Sequence, residues 1–139
     1  MTPEPIKISR KITNQLLHFA QQSPDVEICG LIGGKKGLPT SCYPIKNRAD
    51  QPRQRFLLDA EQQISAMSTM RDQGEDLFAI YHSHPSAPAI PSDTDLELAA
   101  YPEALYLIIS LTTKGVLEMR GFKINHKIAR EIALSLSED

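Results

Sequence analysis

Apolar residues recur at helical spacing from Ile8 through Ile12, Leu16, Phe19 and Ala20, and Pro24 after Ser23 stops the pattern, which predicts a helix over residues 9–22. The next segment, Glu27-Ile-Cys-Gly-Leu-Ile-Gly-Gly34, is short, apolar and Gly-ended, so it reads as a strand. The Gly33, Gly34, Gly37 and Pro39 cluster then suits a hairpin turn. Two more strands are expected at 41–46 and 55–58, separated by a polar loop at 47–54 that contains Pro52. Asp59 followed by Gln62 has capping-box spacing, and Ile64, Met67 and Met70 continue a helical face until Gly74, with the methionines filling core. Residues 77–81 form a compact apolar run that leads into His82-Ser83-His84-Pro85, with Pro85 placed to end the strand. A loop at 86–91 and a helix at 92–100 follow. Strands at 105–111 and 115–124 come next, and then an amphipathic run at 126–136 that reads as a final helix.

The order α-β-β-β-α-β-α-β-β-α mixes hairpins with helical crossings, so the expected fold class is α/β (α+β mixed), a mixed β-sheet flanked by helices. With 139 residues and no linker or repeat to divide them, a single domain over 1–139 is expected. No apolar stretch approaches the roughly 18 residues that cross a bilayer, and the first residues lack the apolar segment of a signal peptide. The expectation is a cytoplasmic protein with no membrane partner. Cys29 and Cys42 form no CxxC pair, which argues against both a disulfide framework and a cysteine-based zinc knuckle. A net charge of -2 and the absence of Trp leave little for nucleic acid, so no nucleic-acid partner is expected. Four cations, Lys46, Arg48, Arg53 and Arg55, lie in or beside the 47–54 loop, where solvated loop charge is the plain reading and a docking patch the alternative.

The chemistry sits at the end of the 77–81 strand. Residues two apart on a strand share a face, so His82 and His84 project their imidazoles side by side, as two ligands of one ion must, while Ser83 faces the other way. A catalytic zinc site takes three protein ligands and keeps one position open, and a carboxylate from another element is a common third. Asp95, in the first turn of a helix beginning near Ser92, is the best placed. Taken alone, Ser92 and Asp95 read first as a helix cap with a dipole-complementing acid, and a lone HxH is weak. Together, HxHP, six residues, Ser, two residues and Asp occur by chance about once in ten thousand or less.

This pattern resembles the JAMM (MPN+) metalloprotease family, whose signature is a distant Glu followed by HxHP, six residues, Ser, two residues and Asp. Here those residues are Glu27, His82, His84, Pro85, Ser92 and Asp95, and EICGLIGG, IYHSHPSAPAIPSDTDLELA and ALYLIIS follow the order of the family's core over nearly the whole chain. The resemblance implies a JAMM/MPN, cytidine-deaminase-like architecture and zinc-dependent hydrolysis of peptide or isopeptide bonds. It implies that His82, His84 and Asp95 are zinc ligands, that Glu27 is the acid/base and that Ser92 stabilises the oxyanion. Cys29, two positions from Glu27, reads as a small buried residue, with a thiol near the metal as the alternative. His18 and His126 have no partners at ligand spacing and are expected at the surface.

A bare domain of this length is similar to stand-alone bacterial members that act on ubiquitin-like sulfur carrier proteins, which implies cleavage after a carrier's Gly-Gly terminus, for instance release of cysteine from a carrier-cysteine adduct. A phage-tail or cell-wall peptidase relative and a silent MPN scaffold that only binds partners are the alternatives. A cytidine deaminase is excluded, because its HxE and PCxxC ligands are missing.

Overall fold

The computed structural model describes residues 4–111 and 118–137. Along them run strand β1 (Ile6–Ser9), helix α1 (Arg10–Gln22), strands β2 (Cys29–Lys35) and β3 (Leu38–Ile45), helix α2 (Ala60–Asp72), strand β4 (Asp76–His84), helix α3 (Asp93–Leu98), and strands β5 (Leu105–Ser110), β6 (Glu118–Asn125), β7 (Ile128–Ile132) and β8 (Leu134–Ser137). Six strands form one sheet in the order β3-β2-β4-β5-β6-β7. Its β4–β5 pair is parallel and its other described pairs are antiparallel, so the sheet is mixed as expected. The open crevice beyond the carboxyl ends of β4 and β5 is where such sheets place ligands.

Alternation along the strands divides the core between two faces. Leu105, Leu107 and Ile109 of β5 join Ile12, Leu16 and Ala20 of α1 on one side. Tyr106 and Ile108 join Ala66 and Met70 of α2 on the other. On β4, Ala79 and Tyr81 belong to the first cluster and Ile80 to the second, so the period of two carries His82 and His84 to the α2 side. Leu16 of α1 is fully buried against the sheet, and its truncation to Ala should cost about 2–5 kcal/mol.

The helix ends obey local chemistry. The Ser9 hydroxyl accepts the Ile12 N–H at 3.2 Å, and the Asp59 carboxylate accepts the Gln62 N–H at 2.9 Å. Between β2 and β3 the turn is Lys36-Gly37, with φ of 54° and 77°, the paired positive values of a two-residue hairpin. Gly33 and Gly34 therefore lie inside β2, beside an irregularity in its ladder, rather than in the turn.

Several expectations are corrected. Residues 126–136 are not a helix but the turn into β7, then β7 and β8: His126 and Lys127 take φ of 52° and 62°, fold the chain back on β6, and pairing with β6 and β1 outweighs the local periodicity. Residues 55–58 form no strand, only an isolated bridge between Asn47 and Leu58. Strand β1, unexpected from the pattern, pairs parallel with β8 just before α1. Strand β2 starts at Cys29, so Glu27 precedes it, and α3 ends at Leu98. Ile64 is 70% exposed and does not belong to the buried face of α2. The strand expected from residue 115 is seen from Glu118, and residues 115–117 lie outside the described residues. No described helix is long and apolar enough to cross a membrane.

Candidate metal centre

Four residues from three parts of the chain meet on the α2 side of the sheet. One ligand-type atom each from Glu27, His82, His84 and Asp95 lies within 4.8 Å of all the others, and all four residues are buried. Neighbouring on β4, His82 and His84 bring their Nε2 atoms to 3.1 Å of one another. Asp95 Oδ2 lies 3.1 Å from each, so the three atoms form a nearly equilateral triangle. A tetrahedral zinc with bonds of about 2.0–2.1 Å sets its ligand atoms roughly 3.3 Å apart. The triangle is close to one face of that tetrahedron.

Neighbouring groups hold these side chains. His84 Nδ1 donates to the Pro88 carbonyl at 2.8 Å, which puts the ring proton there and leaves Nε2 with its lone pair toward the triangle. The loop that supplies this carbonyl is itself held by the Ser110 hydroxyl, which donates to Ala87 O at 2.8 Å. Phe56 stacks on His82, with ring centroids 4.3 Å apart. Asp95 stands at the third position of α3 in a reciprocal capping box: its Oδ2 accepts the Ser92 N–H at 2.9 Å, while the Ser92 hydroxyl accepts the Asp95 N–H at 3.0 Å. The cap reading of this pair is thus met while Asp95 Oδ2 still faces both histidine Nε2 atoms, and the Ser92 O–H keeps its own proton to donate.

Glu27 is the odd member. Only 3% exposed, it leaves Oε1 without a hydrogen-bond partner among the described residues. Burial pushes its carboxyl up to about 8; His84 and Arg55 pull it down and Asp95 adds to the rise. Asp95 behaves oppositely. Burial alone would raise it, but the two imidazoles beside it, His82 and His84, outweigh that and hold it well below the usual carboxylate range. A buried carboxylate oxygen with no partner, next to two imidazoles and a second carboxylate converging on one point, fits a bound divalent cation. Nitrogen and oxygen donors in a triangle suit zinc.

Three residues that sequence reasoning did not assign hold Glu27 in place. The Ser83 hydroxyl, fully buried on the opposite face from the histidines, accepts the Ile28 N–H at 2.9 Å, and the Ser83 N–H donates to Ile28 O at 3.0 Å. Pro52 O accepts the Glu27 N–H at 2.7 Å. Asn47 uses both ends of its amide: Nδ2 donates to Glu27 O and Arg55 O, and Oδ1 accepts the Ala49 and Leu57 N–H groups, all at 3.0–3.1 Å. The one available signal was Ser83, a polar residue at a core-facing position, which must find a partner. Cys29 pairs with His82 across the sheet, but its thiol lies 3.3 Å from Ile45 O, and burial followed by the charge of Glu27 pushes it up to about 12. The buried-residue reading of Cys29 fits this setting. His18 and His126 are exposed.

Two openings flank the triangle. A cleft of about 400 Å³ runs between Glu27 and Ser92, with His84 and Pro85 in its wall. Across His82 and Asp95 lies an apolar cavity of about 250 Å³, lined by Phe56, Leu98 and Tyr106 among others.

A fold with two histidines at a strand end and an aspartate on the following helix defines a JAMM-type site. Residues 9–123 match the family described as prokaryotic homologs of the JAB domain, and the chain belongs to that family. The chain is similar to a desampylase of Haloferax volcanii, 32% identical over 116 residues, covering 79% of this chain and 84% of the relative. It is similar to the CysO-cysteine peptidase of Mycobacterium tuberculosis, 31% identical over 119 residues, with 84% and 81% covered. A solution structure of a Desulfitobacterium hafniense protein superposes with a TM-score of 0.86 at 32% identity, over 96% of this chain and 93% of that one. The chain is therefore an enzyme of the JAMM peptidase class.

Proposed function

We propose that this protein is a zinc-dependent peptidase that cleaves the amide bond after the Gly-Gly terminus of a ubiquitin-like carrier protein. The observation that carries the reading is the triangle of His82 Nε2, His84 Nε2 and Asp95 Oδ2 with the unpartnered Glu27 carboxylate beside it. In this reading His82, His84 and Asp95 hold zinc, Glu27 moves protons and Ser92 donates to the oxygen of the scissile carbonyl. Zinc, when bound, supplies Lewis-acid chemistry, acidifying a water and polarising a carbonyl.

The remaining chemistry belongs to the chain. Glu27 takes a proton from the attacking water and returns it to the leaving nitrogen as the carbon–nitrogen bond breaks, so one carboxyl serves as base and then acid. Burial raises its pKa and a nearby cation lowers it again, which keeps both protonation states accessible near neutral pH. Ser92, on the far wall of the same cleft, offers its O–H where negative charge develops. Two glycines have no side chains to keep a scissile carbonyl away from buried ligands in a narrow cleft.

The names of the two curated relatives favour conjugates or adducts of small carrier proteins as substrates. The test is mass spectrometry of linear Gly-Gly fusions and carrier-cysteine adducts after incubation with zinc-loaded protein, with a chelated control. Cleavage after Gly-Gly that stops on chelation is expected. Intact substrates with fully zinc-loaded enzyme would refute the reading and favour a silent scaffold.

A further inference from the structure

The cleft holds a cation that the hydrolysis described above does not use. Arg53 lines it together with Glu27, Gln54, His84 and Ser92. Its backbone is tied to the acid/base: the preceding residue, Pro52, accepts the Glu27 N–H, and Gln51 O closes the turn by accepting the Gln54 and Arg55 N–H groups at 3.0 and 3.1 Å. Asn47 joins Glu27 O to Arg55 O from the other side. The Arg53 side chain is exposed, and no carboxylate among the described residues lies within ion-pair distance of it. Arg48 in the same loop differs, since it is paired with Asp59 at 2.7 Å.

Glu27 must reach the leaving nitrogen, so the side of the cleft it shares with Arg53 is the leaving-group side. A leaving group that is a single amino acid carries an α-carboxylate one carbon beyond that nitrogen. A lysine side chain in an isopeptide has only methylenes there. We infer that Arg53 binds the free α-carboxylate of a single leaving amino acid, which makes carrier–amino-acid adducts better substrates than carrier–protein isopeptides. A guanidinium grips a carboxylate through two parallel hydrogen bonds, a geometry no ammonium can copy. Arg55, close enough to act on Glu27 electrostatically, adds to the same positive field.

This inference rests on the peptidase reading, and the experiment separates the two. Zinc-loaded Glu27→Gln protein is titrated by NMR with acetyl-Gly-Gly-Ala as the free acid and as the carboxamide, at low salt. The acid should bind about tenfold tighter or more, as a hydrogen-bonded charged pair would give. Arg53→Gln in the same background should bring the two ligands to nearly equal affinity, whereas Arg48→Gln should keep the preference. Equal binding in the parent, binding of neither, or a preference that survives Arg53→Gln would overturn the inference, the last by placing the carboxylate on the metal. Turnover of a carrier–Gly-Gly–Ala carboxamide by the native enzyme checks the peptidase reading independently: turnover with equal binding sinks only the Arg53 assignment, and no turnover of acid or amide sinks the reading itself.

Discussion

Two glutamates are buried among the described residues, and they live in opposite surroundings. Glu75, 7% exposed, is satisfied by three hydroxyls: Thr40 and Tyr43 donate to it, and Ser41 donates at 2.7 Å. Burial works to raise its pKa, but these hydrogen bonds win and leave it lowered. Gly33 makes room for it, since a Cβ there would come within 2.8 Å of Oε1. Glu27, equally hidden, has an oxygen with no described partner and a pKa pushed up to about 8. A carboxylate with both oxygens held by hydroxyls serves to hold structure together. One held by its backbone and left open at its oxygens costs stability and remains free to exchange protons.

The largest expected effect tests the triangle against both glutamates. Asp95→Ala should bring zinc stoichiometry, read by inductively coupled plasma mass spectrometry, from near one to near zero and abolish turnover with it. Unchanged zinc would remove Asp95 from the ligand set.

Next comes the contrast itself. Glu27→Gln should keep zinc and lower kcat by about 10²- to 10⁴-fold, since it deletes the proton carrier and spares the ligands. Glu75→Gln should do the reverse: unfolding free energy falls by about 1–3 kcal/mol as one buried acceptor network is broken, while kcat per zinc stays at the parent value. Loss of turnover in the Glu75 variant would mean that both glutamates serve the reaction.

Acid and base should separate the pair further in metal-free protein. Because the folded pKa of Glu27 is raised, its contribution to stability is present below about 4.5 and lost as pH rises toward about 8. Glu27→Gln should therefore gain melting temperature over the parent progressively across that window and gain nothing at about pH 4. The pKa of Glu75 is lowered, so its contribution is present above 4.5 and lost as pH falls through the folded value. The two difference curves, followed by circular dichroism, should slope in opposite directions.

The smallest expected effect concerns the approach to Glu75. Gly74 sits at φ 72° with open space around it, so Gly74→Ala meets only backbone strain, about 1 kcal/mol, and activity should not move. A larger loss in denaturant melts would mean that the chain shifts Glu75 as well.

Much of this was legible in the chain before any fold was known. Period-two alternation along β4 put His82 and His84 on one face, Ser92 and Asp95 declared a cap, and the spacing of the whole set pointed to a metal. The carboxy-terminal strands were misread because residues 126–136 carry a helix-like pattern, whereas β7 pairs with β6 across a two-residue turn and β8 pairs with β1 from the other end of the chain. Strand β1 escaped notice because a four-residue strand is defined by the partner it finds.

Local chemistry, then, was enough to single out the candidate ligands and the helix starts, because caps and side-chain periodicity act within a few residues. Tertiary structure alone decided what surrounds them. That Glu27 keeps an open oxygen while Glu75 keeps none, that Ser83 and Asn47 hold the backbone at Glu27 and Ile28, and that Arg53 shares its cleft all depend on contacts between distant segments. Desolvation and hydrogen-bond satisfaction are properties of the folded surroundings, and no residue carries them in its own name.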